Sequence, residues 1–292
     1  MSKYLLSATI LLALLFGFLF PRMGILWKDY LTPILMVIMF LTILKIPSNE
    51  ILSIDRKLLF ISIVLVFVFM PILTVPFRFL QPLLFLGLVV AISCPSAAAT
   101  AFFSESLKGK GSLGLSISAI TTVLSVLLTP LLVLIIAGST IDVDYIKIFE
   151  TLAKVILLPI IVALIFKKIF KKPTVFLIKK SMFLSLVLVF FLDWGLVAVC
   201  MPFIIENVYN FLFVQLILIM IVGVGYLVGY LIGKRFGRGE AITLSISTGM
   251  KNGMLSFIII LEGFGHLALL PIIANIIAQL ILITPLEILK KS

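Results

Sequence analysis

Few side chains in this sequence could do chemistry away from water, and Lys251 stands apart among them. It lies within AITLSISTGMKNGMLSFIIILE (Ala241 to Glu262), an apolar segment long enough to span a bilayer, with Asn252 beside it and Gly249 and Gly253 on either side. From the basic loop ending at Gly239, about twelve residues at about 1.5 Å each carry a helix roughly 18 Å, near the middle of a hydrocarbon core about 30 Å thick. An ionisable group at that depth must face a partner or a wet cavity, which makes it a candidate for binding or coupling. The paired glycines suggest an interrupted helix. Asp193 is the second such group, about thirteen residues past Lys180 and so also near mid-depth. It could pair with Lys251, relay protons, or simply be hydrogen-bonded among neighbouring helices.

The elements that must hold these residues follow from composition. The chain of 292 residues is 63% hydrophobic and 12% charged, with a mean hydropathy of +1.36. That is a polytopic membrane protein, all-α, because only helices or closed barrels satisfy the backbone in lipid. The net charge of +11 does not indicate nucleic acid, since the basic residues fall in short clusters between apolar spans. Cys94 and Cys200 lie inside spans, so neither a disulfide framework nor a metal site is expected.

The spans run approximately 4–20, 30–46, 58–77, 81–106, 112–137, 148–166, 181–204, 209–233, 241–262 and 265–288, which makes ten transmembrane helices. The first is kept as a helix and not read as a signal peptide, because Phe20-Pro21-Arg22 closes it and no small-x-small cleavage site follows. With the N-terminus inside, 17 lysines and arginines face the cytoplasm: Lys3, Lys45, Arg56, Lys57, Lys108, Lys110, six in the 167–180 linker, Lys234, Arg235, Arg238, Lys290 and Lys291. Only Arg22, Lys28, Arg78 and Lys147 face the other way, so both termini are expected to be cytoplasmic and the location the inner (cell) membrane. The linker KKIFKKPTVFLIKK reads as a topology determinant at the membrane surface, with an anionic-lipid site as the alternative.

Span four carries SCPSAAATAFFSESLKG (Ser93 to Gly109), with Pro95 near mid-span, and span nine carries the Gly249 to Gly253 interruption. These places correspond if the chain divides into two five-helix halves, 1–137 and 138–292, the second opening with helix 6 and the basic linker (138–180). Five is odd, so the second half would be inverted relative to the first. Matched interruptions in two halves are the sequence-level pointer to a transporter's binding site, where half-helix N-termini attract anions.

Cys94-Pro95-Ser96-Ala97 resembles the Cys-Pro-Gly-Gly signature of the bile acid:sodium symporter family. The following residues through Lys108-Gly109 into SISAITTVLSVLLTPLLV (Ser116 to Val133) run alongside that family's pattern without a gap. LSISTGMKNG (Leu244 to Gly253) resembles its Glu-x-Gly-x-Gln-Asn motif, and Leu157-Pro159 its sixth helix. The resemblance implies a core domain of helices 3–5 and 8–10, with helices 4 and 9 broken and crossing, and a panel domain of helices 1, 2, 6 and 7. It implies an organic-anion substrate between the two domains, touching Ser96, Ala97, Ala98, Thr100, Asn252 and Gly253, and movement of core against panel.

The departures bear on coupling. Where the family binds one sodium, this sequence has Thr100, Ala101, Gly114, Ser118 and Ser247; around the second it has Ser247, Thr248, Met250, Lys251 and Val66. Sodium is a hard cation needing several oxygens, and the carboxylate and amides that would supply them are absent from these positions. The expectation is that the Lys251 ammonium replaces the bound cation by donating to carbonyls at the unwound crossover. If its proton leaves during the cycle, with Asp193 as a second coupling candidate, the carrier would be proton-coupled; if not, a facilitator or exchanger. The alternative keeps sodium through backbone carbonyls and the hydroxyls of Thr100, Ser118 and Ser247. No other cofactor is expected.

Other polar residues read as structural: Glu105 pairing with Lys108 or Lys110, His266 in an outer turn, Asp142 and Asp144 in an exposed loop. An intramembrane enzyme would need a nucleophile and base at shared depth, which the sequence does not supply. A channel would need a continuous polar pore, but most spans are nearly pure Leu, Ile, Val and Phe; a sensor without transport is the other alternative. Neither substrate identity nor oligomeric state is legible.

Overall fold

The computed structural model describes residues 5–45, 55–141 and 144–289, without the side chains of 7, 182 and 284–289. Lys3, Asp142, Lys290 and Lys291, invoked above, lie outside the described residues. Among the described residues the chain is helical with no strand. In order the helices are α1 (Leu5–Leu19), α2 (Pro21–Ile25), α3 (Leu31–Lys45), α4 (Arg56–Val64), α5 (Met70–Ile72), α6 (Pro82–Ser93), α7 (Thr100–Ser106), α8 (Gly111–Ala137), α9 (Tyr145–Leu152), α10 (Leu158–Ile169), α11 (Lys171–Glu206), α12 (Val208–Gly233), α13 (Arg238–Gly249), α14 (Gly253–Gly263) and α15 (Leu269–Leu289). Six stretches among them are long and apolar enough to cross a membrane: Arg56–Phe77, Gly111–Ala137, Tyr145–Ile169, Phe183–Glu206, Val208–Gly233 and His266–Ile283.

Proline explains much of the irregular helix. α4 and α5 are joined by a π-helical turn, Leu65–Phe69, in which the Met70 amide donates to the Leu65 carbonyl. The next donor in that pattern would be residue 71, which is proline and has no N–H. The Val66 carbonyl is thereby left for another partner. A second π turn, Ala153–Leu157, joins α9 to α10 and is likewise followed by a proline, Pro159. Pro95 acts differently. The residue before it, Cys94, is driven extended (φ −68, ψ 157), and α6 stops there.

The basic stretch expected as a linker is helical from Lys171 and continues without a break into span seven, giving α11 36 residues. Its length of about 54 Å exceeds a bilayer's hydrocarbon core, so its basic first turns extend beyond the apolar part. α11 packs along α1, α2 and α3, and α3 along α10. α12 packs along α13 and α15, while α6 lies against α8, α14 and α15. Contacts of α14 with α3 and α9, and of α15 with α11, link these two groups.

Candidate functional site

The segments between α6 and α7 and between α13 and α14 meet in the interior. An isolated antiparallel bridge pairs Ser96 with Lys251. The Ala97 amide donates to the Met250 carbonyl at 2.9 Å, and the Asn252 amide donates to the Pro95 carbonyl at 2.9 Å. Buried non-helical backbone in an apolar interior needs such partners, and side chains supply the rest. Thr129 Oγ1 donates to the Ser93 carbonyl at 2.9 Å and Ser118 Oγ to the Ser96 carbonyl at 3.3 Å, both from α8. On α15, Gln279, oriented so that both ends of its amide are satisfied, donates to the Lys251 carbonyl at 3.2 Å and accepts from its amide at 3.3 Å. Asn275 Nδ2 donates to the Gln279 oxygen at 2.9 Å. Asn252 also caps α14, its side-chain oxygen accepting from the Leu255 amide at 3.1 Å.

Lys251 is 1% exposed, and its Nζ donates to the Val66 carbonyl at 2.8 Å. This departs from the expected partner: the acceptor is the carbonyl orphaned by Pro71 in the α4–α5 π turn, not one at the crossover. Chain packing thus places a proline-made vacancy in the α4–α5 turn opposite an ammonium on the segment between α13 and α14. Gly249 permits the approach of α12, because a Cβ there would lie 2.5 Å from Cδ1 of Tyr226.

A cavity of about 130 Å³ lies beside the bridged segments, lined by Ala97, Ala98, Met250, Lys251, Asn252 and Gly253, by Gln279 and by apolar side chains of α3 and α15. Asp193, on α11, lines the same cavity. It is 1% exposed, and neither carboxyl oxygen has a hydrogen-bond partner among the described residues. Among the described residues no ion pair joins it to Lys251. A second cavity of about 560 Å³ shares Ala98, Ala99, Leu6, Ile38 and Val189 with the first and continues to Thr42, Lys45 and Glu105. It is a vestibule that reaches the ends of α3 and α7.

Several expected site residues already have partners within the protein. Ser96 and Thr100 are fully buried, 3.0 Å apart through their hydroxyls. Ser247 Oγ and Thr248 Oγ1 donate to carbonyls four residues earlier in their own helix. Gly114 packs against the backbone of Thr100 and Ala101. Ala101 lines the vestibule and not the deep cavity. Of the hydroxyls proposed for sodium, those of Thr100 and Ser118 both reach Ser96, while that of Ser247 turns to its own helix. Lys110, expected near Glu105, pairs instead with Glu240. That contact holds the Glu240 carboxyl below its usual range, chiefly through the hydrogen bond from Lys110. His266 is exposed, as expected, and stacks on Phe203 with centroids 4.7 Å apart. Asp144 is exposed and caps α9.

Sequence reasoning missed Val66 as an acceptor, and Asn275 and Gln279. The last two sit four apart in a largely apolar helix, hence on one face, a signal that could have found them. It also missed Glu262, whose two oxygens accept from Thr32 Oγ1 at 2.8 Å and Thr151 Oγ1 at 3.2 Å, tying α14 to α3 and α9.

Comparison with known proteins gives two findings. The Sodium Bile acid symporter family model matches residues 32–208. A relative described as the uncharacterized sodium-dependent transporter YocS of Bacillus subtilis (strain 168) is 25% identical over 266 residues, 87% of this chain and 81% of that protein.

Proposed function

The chain belongs to the sodium bile acid symporter family and is an integral membrane transporter, not an enzyme; from this premise we propose that it carries a small organic anion by alternating access without a bound sodium ion. Lys251 takes the cation's place. The observation that carries the reading is the buried Lys251 Nζ held at 2.8 Å by the Val66 carbonyl, beside the bridged crossover. A metal ion there would need several oxygens, whereas the ammonium needs acceptors and brings its own charge.

In this reading the interrupted pairs α4–α5, α6–α7, α9–α10 and α13–α14 each make one crossing. With α1, α3, α8, α11, α12 and α15 they give ten spans. Residues 1–137 and 138–292 form inverted five-helix repeats, with α6–α7 and α13–α14 as the broken helices that cross. Helices 3–5 and 8–10 make a core, and helices 1, 2, 6 and 7 a panel. Gly253 and Met254, which open α14, line the deep cavity, and the free amides of such a first turn suit an anion. Both termini lie in the cytoplasm of an inner-membrane protein, so the vestibule past Lys45 and Glu105 is the cytoplasmic entrance. Coupling to protons follows if Lys251 releases its proton during the cycle; a permanently charged Lys251 makes the carrier a facilitator or exchanger.

The relative's description as sodium-dependent favours a second reading, in which backbone carbonyls and the hydroxyls of Thr100, Ser118 and Ser247 still hold sodium. One experiment separates the two. The melting temperature of the detergent-purified protein is followed as sodium replaces potassium at constant ionic strength, since a bound ion stabilises by mass action. No sodium-specific change is expected. A saturable rise with sodium would overturn the lysine substitution and restore sodium symport.

A further inference from the structure

The wall of the deep cavity facing the crossover carries a carboxyl group that no described residue answers. Asp193, on α11, shares the cavity with Leu35, Ile38, Val189 and Leu192, which offer no side-chain donor, and with Asn252 and Gln279, whose amides do not bond to it. Its two oxygens are unpartnered at 1% exposure. The lysine on the same cavity spends its ammonium on Val66. A buried polar group without a partner is costly, and a carboxylate more so than an amide or hydroxyl. A site that keeps one is complete only when the missing donor arrives with what enters it.

The opposite wall asks for the reverse. The amides of Gly253 and Met254 open an eleven-residue helix, and the Asn252 side chain caps only Leu255, so two donors at the positive end of α14 remain without an intrahelical acceptor. A simple carboxylate docking there would share a low-dielectric cavity with the Asp193 charge. Like charges in such surroundings repel strongly. A molecule bearing its own cation toward α11 would turn that repulsion into attraction.

We propose that the substrate is amphoteric, with an acidic group on the α14 N-terminus, a protonated amine received by Asp193, and an apolar body between them. This rests on the transport reading of the same cavity, and narrows its organic anion to a zwitterion. The ligand would bridge α14 to α11, elements of the two helix groups that alternating access moves. Its binding would therefore depend on their approach, and Asp193 would set specificity by rejecting anions that lack the amine.

The test uses matched trios of a zwitterion, its carboxylate without the amine and its amine without the carboxyl group: phenylalanine, 3-phenylpropionate and phenethylamine; leucine, 4-methylpentanoate and 3-methylbutylamine; and 6-aminohexanoate, hexanoate and pentylamine. Each is titrated against the purified full-length protein by melting temperature, in wild type and in Asp193→Asn. The expected result is a saturable rise with the zwitterion of at least one trio, at least tenfold tighter than its carboxylate or amine. In D193N that preference collapses and the matched carboxylate gains affinity, because the repelling charge is gone. A carboxylate that binds wild type as tightly as its zwitterion overturns the role of Asp193 and leaves anion transport standing. An amine that binds equally tightly overturns both the zwitterion and the anion reading. No response to any trio overturns the zwitterion, and uptake of carboxylates into proteoliposomes then judges anion transport separately. The wild-type comparison stands even if D193N does not fold.

Discussion

Replacing Lys251 with methionine should make the protein more stable. The ammonium is buried and, among the described residues, donates to one neutral acceptor, the Val66 carbonyl. A hydrogen bond from a charged donor contributes roughly 1.5–3 kcal/mol. Burying the ion costs several kcal/mol even after relaxation, and replacing buried ions with well-packed apolar residues often stabilises by about 1–4 kcal/mol. Methionine matches the length of the stem and adapts to irregular gaps. The loss of one hydrogen bond is the smaller effect, so Lys251→Met gains. At about 2 °C per kcal/mol for a chain of this size, the melting temperature should rise roughly 2–8 °C in detergent. A residue kept at the expense of stability is the signature of a functional group. A fall of several degrees would refute the reasoning, since it would mean that the ammonium is fully satisfied and serves the fold.

Three further predictions concern its surroundings. Pro71→Ala supplies an amide that can donate to the Val66 carbonyl, so Lys251→Met should raise the melting temperature more in that background than in wild type; additive effects in the double-mutant cycle would show that the two do not share the acceptor. Glu262→Gln weakens the tie to Thr32 and Thr151 at the end of α3 opposite Lys45 and the vestibule. In a background with Cys94 and Cys200 replaced by serine, a cysteine at Ala98 should then react at least threefold faster with an impermeant maleimide added from the Glu262 side, and an unchanged rate would argue that these contacts do not close that face. For Glu240 the folded-state pKa is depressed by Lys110, so its contribution to stability is present above the ordinary glutamate value of about 4.3 and is lost as pH falls through the lower folded value. Lys110→Ala should remove that acid-side dependence, a small effect for so exposed a pair, and identical melting curves against pH in both proteins would contradict it.

Composition and local chemistry made much of this protein legible from its sequence. Hydropathy decided that the chain lives in lipid, and lipid allows little but helices when no alternating pattern is present. Pro95 stops α6 because proline bars the helical conformation of the residue before it, and that rule needs no neighbour. Lys251 was conspicuous because a charge in an apolar run is expensive wherever the run ends up. Its partner was not legible. Val66 lies 185 residues away, and its role depends on a backbone carbonyl, which every residue has. The π turn and Pro71 make that carbonyl available, but only the packing of α4–α5 beside the bridged segments selects it. The same holds for Asp193, whose depth could be counted along the helix while its lack of any partner could not. Side-chain type and spacing are one-dimensional; whether a buried polar group is answered is decided by what the other helices bring to it.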